Sequence, residues 1–403
     1  MDIVDSPERS RFRTRVRNFI QENLPPGWEG LAALPPDQQA EFTANWRILL
    51  HENDLLAVSW PKEYGGAGLT PSEQIVVAEE LTRAGVPHGN FNDNFSIQML
   101  GSTLLRVGTQ EQKEYYLPRI LTREDIWCQG FSEPEAGSDL AGIRTTAELS
   151  GDRWIINGQK TWTSYGHLAD HIFVLCRTDK SVRAHNGMSL LLVKLDQPGI
   201  EIRPLLTMTG DHEFNEVFFT DAHCAAADVL GPVNAGWGVA MTLLGYERGE
   251  AAATLPVKFR ADFERLTQLA RDYGKADDPV IRQRLGRCIE GVEQMKNMGL
   301  RAVSQWVNGE DIGAESSLHK LFWSEWLQEA TQLAMDIMGP AALTPEGLGL
   351  QGISFPAAEA GTPNTTGAWT DYYMRSRAAT IYAGSSEIQR NIISERLLGL
   401  PRK

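Results

Sequence analysis

Two short stretches combine the residue types that can hold a polar, aromatic ligand. "FSEPEAGSDLAG", residues 131–142, is a loop dense in hydroxyls and in backbone N–H groups, which can surround a polar heterocycle or a phosphate-bearing chain. "INGQKTWTS", residues 156–164, sets Trp162 beside two hydroxyls, which could stack on a ring system and hydrogen-bond its edge. Asn157-Gly158 within it is a hairpin turn signal. The plain alternatives are a surface turn and a tryptophan packed in a β-core.

A third stretch, "IYAGSSEIQR", residues 381–390, predicts an extended turn that runs into a helix. Ser385 and Ser386 are good helix N-caps, and Glu387 stands where a first-turn acid stabilises the helix. A Tyr-x-Gly turn before a capped helix often places a reactive side chain over a pocket. Here that residue is Ala383, so an acid or base for chemistry at this turn has to come from elsewhere.

Composition and missing motifs exclude several classes of function. Lys and Arg number 38 against 52 Asp and Glu, a net charge of −14 that argues against non-specific binding to nucleic acid or anionic membrane. No HExxH, CxxC or His/Asp cluster indicates a metal, no GxSxG a nucleophilic serine, and "PKEYGGAGLT" lacks the strand and spacing of a dinucleotide-binding loop. No apolar run of roughly 20 residues, no leader-like start and four scattered cysteines lead us to expect a cytoplasmic protein.

The elements that must position these stretches change type along the chain. Residues 1–124 carry helical spacing, with Thr109 as one expected N-cap. Residues 125–232 hold short β-branched or aromatic runs separated by Gly, Asn or Asp turns, as in a β-domain. Residues 233–403 return to long helical periods, interrupted by a Gly- and Pro-rich loop over 343–371 that is too long for a routine connection. We therefore expect an α+β fold of three domains with these boundaries.

The order of these motifs resembles the acyl-CoA dehydrogenase family over essentially the whole chain. The resemblance rests on "PKEYGGAGL", "FSEPEAGSDLAG", "NGQKTWTS" and the C-terminal "IYAGSSEIQRNIISERLLGLPR". It implies an N-terminal helical domain, a middle β-barrel-like domain and a C-terminal four-helix bundle. It also implies an FAD enzyme that forms the α,β double bond of an acyl-CoA thioester, with electron-transferring flavoprotein as the usual electron acceptor.

The resemblance assigns roles to individual residues. The expected FAD contacts are Gln129, Phe131, Ser132, Gly137, Ser138, Trp162, Thr163, Ser164, Ser385 and Glu387. Trp162 should flank the isoalloxazine ring and Ser164 should meet flavin N5. The expected substrate contacts are Ser138, Tyr246, Arg248 and Gly384. The backbone N–H of Ala383 should donate to the thioester carbonyl, a role that does not depend on the side chain.

In much of the family the residue matching Ala383 is the glutamate that removes the substrate α-proton, and alanine cannot do this. A minority of members carry that glutamate on the first long helix after the β-domain, immediately before an arginine. Counting from "AGWGVAM", that position is Glu247. Taken alone, an adjacent Glu and Arg on a helix form a solvated pair. The alanine at 383 favours Glu247 as the base, with a pKa raised by desolvation when substrate binds.

A second departure concerns assembly. In the family, a neighbouring subunit grips the adenosine diphosphate half of FAD through a Gln-x-x-Gly-Gly-x-Gly stretch, which here reads "DIMGPAAL". Asp336 would repel a diphosphate, and Pro340 lacks an N–H donor. We therefore expect an oligomer in which a different, homologous chain supplies the intact adenosine site, as in the α2β2 members that shorten sterol side chains. The loop 343–371 would then serve partner contact or a wide acyl pocket. The alternatives are a non-catalytic partner subunit and a member with oxidase-type or nitroalkane-type flavin chemistry.

Overall fold

The computed structural model describes residues 6–307, 313–347 and 360–401, without the side chains of residues 36, 247–250, 306 and 307. The chain divides into two compact units. One unit combines the chain up to Ile48, Leu69–His88 and the chain from Arg248 onward, and it is helical. The other combines Leu49–Gly68 with Gly89–Glu247, and it contains the sheet. Helical segments at both ends of the chain and a sheet in its central part confirm the expected fold class, whereas the domain boundaries near 124 and 232 remain a prediction.

Most of the described helices begin where the sequence supplies a cap or a proline, whereas α4 and α8 have no side-chain cap. Thr70 and Thr109 each accept a hydrogen bond from the backbone of the third helical residue, whose side chain bonds back, which confirms the expected cap at Thr109. The helices are α1 (Pro7–Asn23), α2 (Pro36–Glu52), α3 (Pro71–Ala84), α4 (Ser102–Val107), α5 (Gln110–Thr122), α6 (Gly236–Asp272), α7 (Pro279–Val307), α8 (Glu315–Met338), α9 (Thr366–Ser376) and α10 (Ser386–Ile392). A π-helical segment, Asn94–Gly101, leads directly into α4.

The core of the helical unit lies between the later helices. Phe259 of α6 packs against Trp326 of α8 with ring centroids 4.7 Å apart, and the Trp326 indole donates to the Cys288 carbonyl of α7 at 2.9 Å. Both aromatic side chains are buried together with Met295, Leu327 and Trp369. Since burial of a large apolar side chain stabilises by about 1.5–3 kcal/mol, this cluster fixes how α7, α8 and α9 pack.

The other unit is built on an eight-stranded sheet. Its strands are β1 (Trp127–Gly130), β2 (Thr146–Ser150), β3 (Arg153–Ser164), β4 (His171–Arg177), β5 (Met188–Lys194), β6 (Ile200–Leu205), β7 (Phe214–Ala225) and β8 (Val229–Leu230). The spatial order is β6-β7-β3-β2-β4-β5-β8, and β1 pairs in parallel with β4. Alternate side chains of these strands form one apolar core that includes Trp154, Ile172 and Val217. The long antiparallel pair of β3 and β7 carries the Trp162 segment.

The expected hairpin turn at Asn157-Gly158 is wrong. β3 continues through both residues and bulges there against β7, and the chain turns instead at Gly151 (φ +63°), between β2 and β3. Gly158 has a different reason to be glycine, because a Cβ atom on it would lie 2.6 Å from the Thr145 Cα atom. The Asn-Gly pair therefore marks a bulge and a close backbone approach rather than a strand reversal.

The Gly- and Pro-rich interruption is shorter than 343–371, because its last residues are helical. α9 begins at Thr366, and Thr365 caps it by accepting from the Ala368 N–H. The base of the loop is closed by the Gly367 N–H, which donates to the Glu346 carbonyl at 2.9 Å, and by Thr366 Oγ1, which accepts from the Glu346 N–H. Residues 348–359 lie outside the described part, so the role expected for this loop stays a prediction.

Candidate functional site

The loop after β1 is fastened to the neighbouring strand β3. The Thr161 N–H donates to the Ser132 carbonyl at 2.9 Å, and the Glu133 and Ala136 backbones bond each other in a tight turn. Phe131 is buried, whereas Gln129 and Ser132 are half-buried. The predicted cofactor residues of "FSEPEAG" and of "TWTS" are therefore brought side by side in one unit, as the sequence interpretation requires.

A buried ion pair joins the same two segments. Lys160 Nζ donates to Glu133 Oε1 at 2.8 Å and to the Phe131 carbonyl at 3.0 Å, and neither charged side chain is more than 7% exposed. Glu133 also accepts from the Arg144 and Thr145 backbones. Burial alone would raise the pKa of Glu133, but the Lys160 charge and these hydrogen bonds hold that pKa below its ordinary value. Burial lowers the pKa of Lys160, and the Glu133 carboxylate beside it counters this effect. The contact between the two side chains and the Phe131 carbonyl fixes the Phe131 backbone.

Trp162 presents its ring to the outside of the sheet. Its side chain is 60% exposed, its φ is +60°, and a register shift of β3 against β7 occurs at this point. A left-handed, exposed tryptophan is costly unless something covers it, because the backbone geometry is strained and the apolar face is large. The alternative of a tryptophan packed in the β-core is excluded by this exposure.

The neighbours of Trp162 add hydrogen-bonding groups. Thr163 is 1% exposed, and within the described part of the chain its Oγ1 atom has no hydrogen-bond partner. Its carbonyl accepts from the buried Asn215 amide at 3.0 Å. Ser164 is half-buried. An exposed aromatic face beside an orphaned buried hydroxyl fits a flat heterocycle with polar edges, which is the chemistry of a flavin ring.

The far end of the first loop lies open. Gly137 and Ser138 are both exposed, and a Cβ atom on Gly137 would meet nothing within 4 Å. By itself this end is compatible with the surface-turn alternative as well as with ligand contact. The roles expected for Gly137 and Ser138 therefore remain predictions.

The C-terminal turn has the form that the sequence predicts. Ala383 is exposed and has a φ of +52°, and Gln389 Nε2 donates to its carbonyl at 2.8 Å. Lys320 Nζ donates to the Gly384 carbonyl at 2.8 Å. Ser385 caps α10 by accepting from the Ile388 N–H, which confirms its predicted capping role. Hydrogen bonds from its own backbone and from Ser385 lower the pKa of Glu387.

The proposed base lies on α6. The backbone at Glu247 is helical, and its side chain and that of Arg248 lie outside the described part of the structure. Tyr246, one residue earlier, is half-buried. The roles expected for these three residues rest on the sequence and stay predictions.

The segment expected to be poor at gripping a diphosphate is occupied by contacts within the chain. The Asp336 carboxylate accepts from Arg284 Nη1 at 2.5 Å and from Gln332 Nε2 at 3.1 Å. The backbone carbonyl of Asp336 accepts from Lys275 Nζ at 2.9 Å. Pro340 lies at the start of a short 3₁₀ turn, Gly339–Leu343. The Arg284 guanidinium is thus already paired with a carboxylate, which weakens its attraction for an anionic group.

Comparisons with known proteins agree with this site. Family models for the N-terminal, middle and C-terminal domains of acyl-CoA dehydrogenases match residues 6–124, 128–222 and 234–398. The acyl-CoA dehydrogenase IpdE1 of Mycolicibacterium smegmatis is 41% identical, over 98% of this chain and 99% of the relative. IpdE1 of Mycobacterium tuberculosis is 42% identical, over 97% and 98%. The chain belongs to the acyl-CoA dehydrogenase family.

Solved structures give the same assignment. The Tcur3481-Tcur3483 steroid ACAD is 29% identical with a TM-score of 0.81, and the ChsE4-ChsE5 complex from Mycobacterium tuberculosis is 28% identical with a TM-score of 0.79; each match covers 100% of both chains. The predicted family, the FAD cofactor and the oxidation of a CH–CH bond of an acyl-CoA are confirmed. No helix in the described ranges is long and apolar enough to cross a membrane.

The sequence interpretation missed the polar side chains that donate hydrogen bonds to the backbone of these segments. Lys160 and Glu133 lie within the quoted motifs, yet a lysine and a glutamate 27 residues apart give no signal that they are paired. Likewise, no sequence pattern links Lys320 to Gln389 or to the turn at 382–384. Only the pairing of β1, β3 and α8 with these loops reveals such contacts.

Proposed function

We propose that this chain dehydrogenates a bulky acyl-CoA, with Glu247 as the base that removes the α-proton and the Ala383 backbone N–H as a donor to the thioester carbonyl. The observation that carries the proposal is the turn at 382–384. Its left-handed backbone and its two anchored carbonyls are retained although its side chain is a methyl group. A turn held this firmly without a reactive side chain is explained by a task for its main chain.

Each group has a defined part in the reaction. FAD bound at this site would supply the acceptor for the hydride of the substrate β-carbon. Glu247 takes the α-proton, and a carboxylate desolvated by a bound acyl chain has a raised pKa suited to this transfer. The Ala383 N–H stabilises the negative charge that develops on the thioester oxygen. The exposed Trp162 ring and the hydroxyls of Thr163 and Ser164 are the groups that would hold the flavin ring.

A steroid acyl-CoA is the proposed substrate class. Support comes from the match over its full length to a structure whose name identifies it as a steroid ACAD. The test is anaerobic mixing of the FAD-loaded protein with acyl-CoAs that carry a linear chain, a short branched chain or a steroid side chain, while flavin absorbance is followed. Rapid bleaching by the steroid thioester supports the proposal. Bleaching by linear chains alone, or by none of the three, contradicts it.

The proposed assembly is a heteromer in which a homologous subunit supplies the intact adenosine grip. Support comes from Asp336, which is engaged with Arg284, and from Pro340, together with the likeness to the ChsE4-ChsE5 complex. Expression of this chain alone, followed by measurement of FAD content and mass in solution, tests it. Full FAD occupancy in a homo-oligomer would show that no partner subunit is needed. Electron-transferring flavoprotein is the proposed acceptor of the electrons.

A further inference from the structure

Two buried side chains converge on the carbonyl groups of the turn at 382–384. Gln389 Nε2 lies 2.8 Å from the Ala383 oxygen and 3.1 Å from the Gly384 oxygen, and Lys320 Nζ lies 2.8 Å from the Gly384 oxygen. Gln389 is 1% exposed and Lys320 is 6% exposed. The donors come from two different elements, α10 and α8. The turn is therefore tied on one side to its own following helix and on the other to a long core helix.

The turn needs such anchoring because its backbone is strained. Ala383 has a φ of +52°, a conformation that costs an L-residue with a Cβ atom roughly 1–2 kcal/mol. Strained backbone persists only where the surroundings over-determine it. The hydrogen bonds to the Ala383 and Gly384 oxygens fix the two peptide planes that follow the Ala383 Cα atom. With these planes fixed, the left-handed φ determines where the Ala383 N–H points.

We propose that Lys320 and Gln389 are positioning residues that aim the Ala383 backbone N–H at the substrate thioester carbonyl. This inference rests on the proposed function, in which that N–H stabilises the developing enolate. The two residues contribute to a similar extent, because a hydrogen bond from an ammonium group is about twice as strong as one between neutral groups and Gln389 makes two such bonds. Neither side chain is assigned any contact with substrate or cofactor.

The test removes each donor without emptying its site. Lys320→Met and Gln389→Leu keep similar side-chain volumes and remove the hydrogen bonds. Gln328→Met is the matched control, because Gln328 also reaches from α8 to main-chain oxygens, those of Ser376 and Arg377 at 3.3 Å, outside the turn. All three variants are prepared as the FAD-loaded protein, with the partner subunit if the assembly requires one.

Two measurements separate positioning from stability. Hydrogen–deuterium exchange of the segment 383–386 reports how firmly the turn is held and needs no turnover. The second is the pH dependence with which a bound 3-thiaacyl-CoA loses its α-proton, followed by the long-wavelength absorption of the anion beside the flavin. Loss of one well-aimed oxyanion donor costs about 10²–10³-fold, so a donor that is only misaligned should weaken this ionisation about tenfold.

The expected result is faster exchange of the turn and about tenfold weaker ionisation of the analogue in both variants, with neither change in Gln328→Met. If exchange and ionisation both stay at wild-type values, Lys320 and Gln389 do not position the turn and the inference is overturned. If the turn exchanges faster while ionisation is unchanged, the Ala383 N–H is not the donor, and the role proposed for Ala383 fails with the inference. Should Lys320→Met not fold, Gln389→Leu decides between these outcomes.

Discussion

Replacement of Lys160 by methionine should destabilise the sheet-containing unit severely. Lys160 is fully buried, and its ammonium group bonds both the Glu133 carboxylate and the Phe131 carbonyl. In Lys160→Met, Glu133 keeps its hydrogen bonds from the Arg144 and Thr145 backbones but loses its only opposite charge among the described contacts. Breaking a buried ion pair by removing one partner costs about 3–5 kcal/mol.

The assay is chemical denaturation at pH 7, with FAD content measured on the same samples. We expect the free energy of unfolding to fall by about 3–5 kcal/mol. We also expect FAD to be lost more readily, because the Phe131 carbonyl loses its bond from Lys160 and the Phe131–Ser132 segment keeps, among the described contacts, only the bond from the Thr161 N–H. Lys180→Met is the control, since Lys180 pairs with Glu148 at 3.8 Å with both side chains largely exposed. That variant should cost less than about 1 kcal/mol.

Two further measurements, on a double variant and at low pH, test this reasoning. In the double variant Lys160→Met/Glu133→Gln no charge is buried, so we expect it to regain at least half of the lost stability. Acidification should also narrow the gap between Lys160→Met and wild type. In the variant the unpaired Glu133 carboxyl takes up a proton more readily, which removes the buried charge. In wild type the Lys160 charge keeps the pKa of Glu133 low, so acidification brings no such gain. A loss below about 1 kcal/mol, or a double variant no more stable than the single one, would contradict the account.

Two other predictions concern stability of the helical unit. His319 is buried, its Nε2 atom has no hydrogen-bond partner among described residues, and burial lowers its pKa to about 4. The neutral ring therefore adds to the free energy of unfolding above pH 6.5, and this stabilisation is lost as the pH falls toward 4. Between pH 7 and pH 4, the free energy of unfolding should fall by about 3 kcal/mol less in His319→Leu than in wild type, as measured by denaturation at each pH. The same pH profile in both proteins would contradict this prediction. Gly85 has a φ of +66°, and a Cβ atom there would lie 2.3 Å from the Ala360 Cβ atom. Gly85→Ala should therefore cost about 2–4 kcal/mol, against about 1 kcal/mol for Gly274→Ala, where φ is +64° and nothing lies within 4 Å; equal costs would show that the close contact is unimportant.

Local pattern predicts much of the fold. The β-branched and aromatic runs expected within residues 125–232 form strands such as β3, β4 and β6, and Thr109 and Ser385 cap the helices that follow them. These succeed because alternation and capping depend on residues close in sequence. The same reasoning fails at Asn157-Gly158, since whether an Asn-Gly pair turns or bulges is decided by the strand that lies opposite.

The motifs of the candidate site can be predicted from the sequence, but the side chains that hold these motifs in place cannot. Trp162 is singled out by its neighbours in sequence, but its exposure and left-handed backbone follow from a register shift between β3 and β7. Lys160 reads as a solvated strand residue until β1 and β3 are placed together. Lys320 reads as a routine helix lysine until α8 is placed against the C-terminal turn. Long-range pairings of this kind leave no periodic signal in the sequence.

The most direct test of the central claim is the rate of the reductive half-reaction in Glu247→Gln. The FAD-loaded variant is mixed anaerobically with substrate acyl-CoA, and flavin bleaching is followed beside that of Glu250→Gln, a carboxamide change three residues further along α6. The account predicts that Glu247→Gln keeps its FAD and bleaches about 10²–10⁴-fold more slowly than wild type, while Glu250→Gln bleaches at the wild-type rate. Bleaching of Glu247→Gln at a near-native rate would show that another group removes the α-proton.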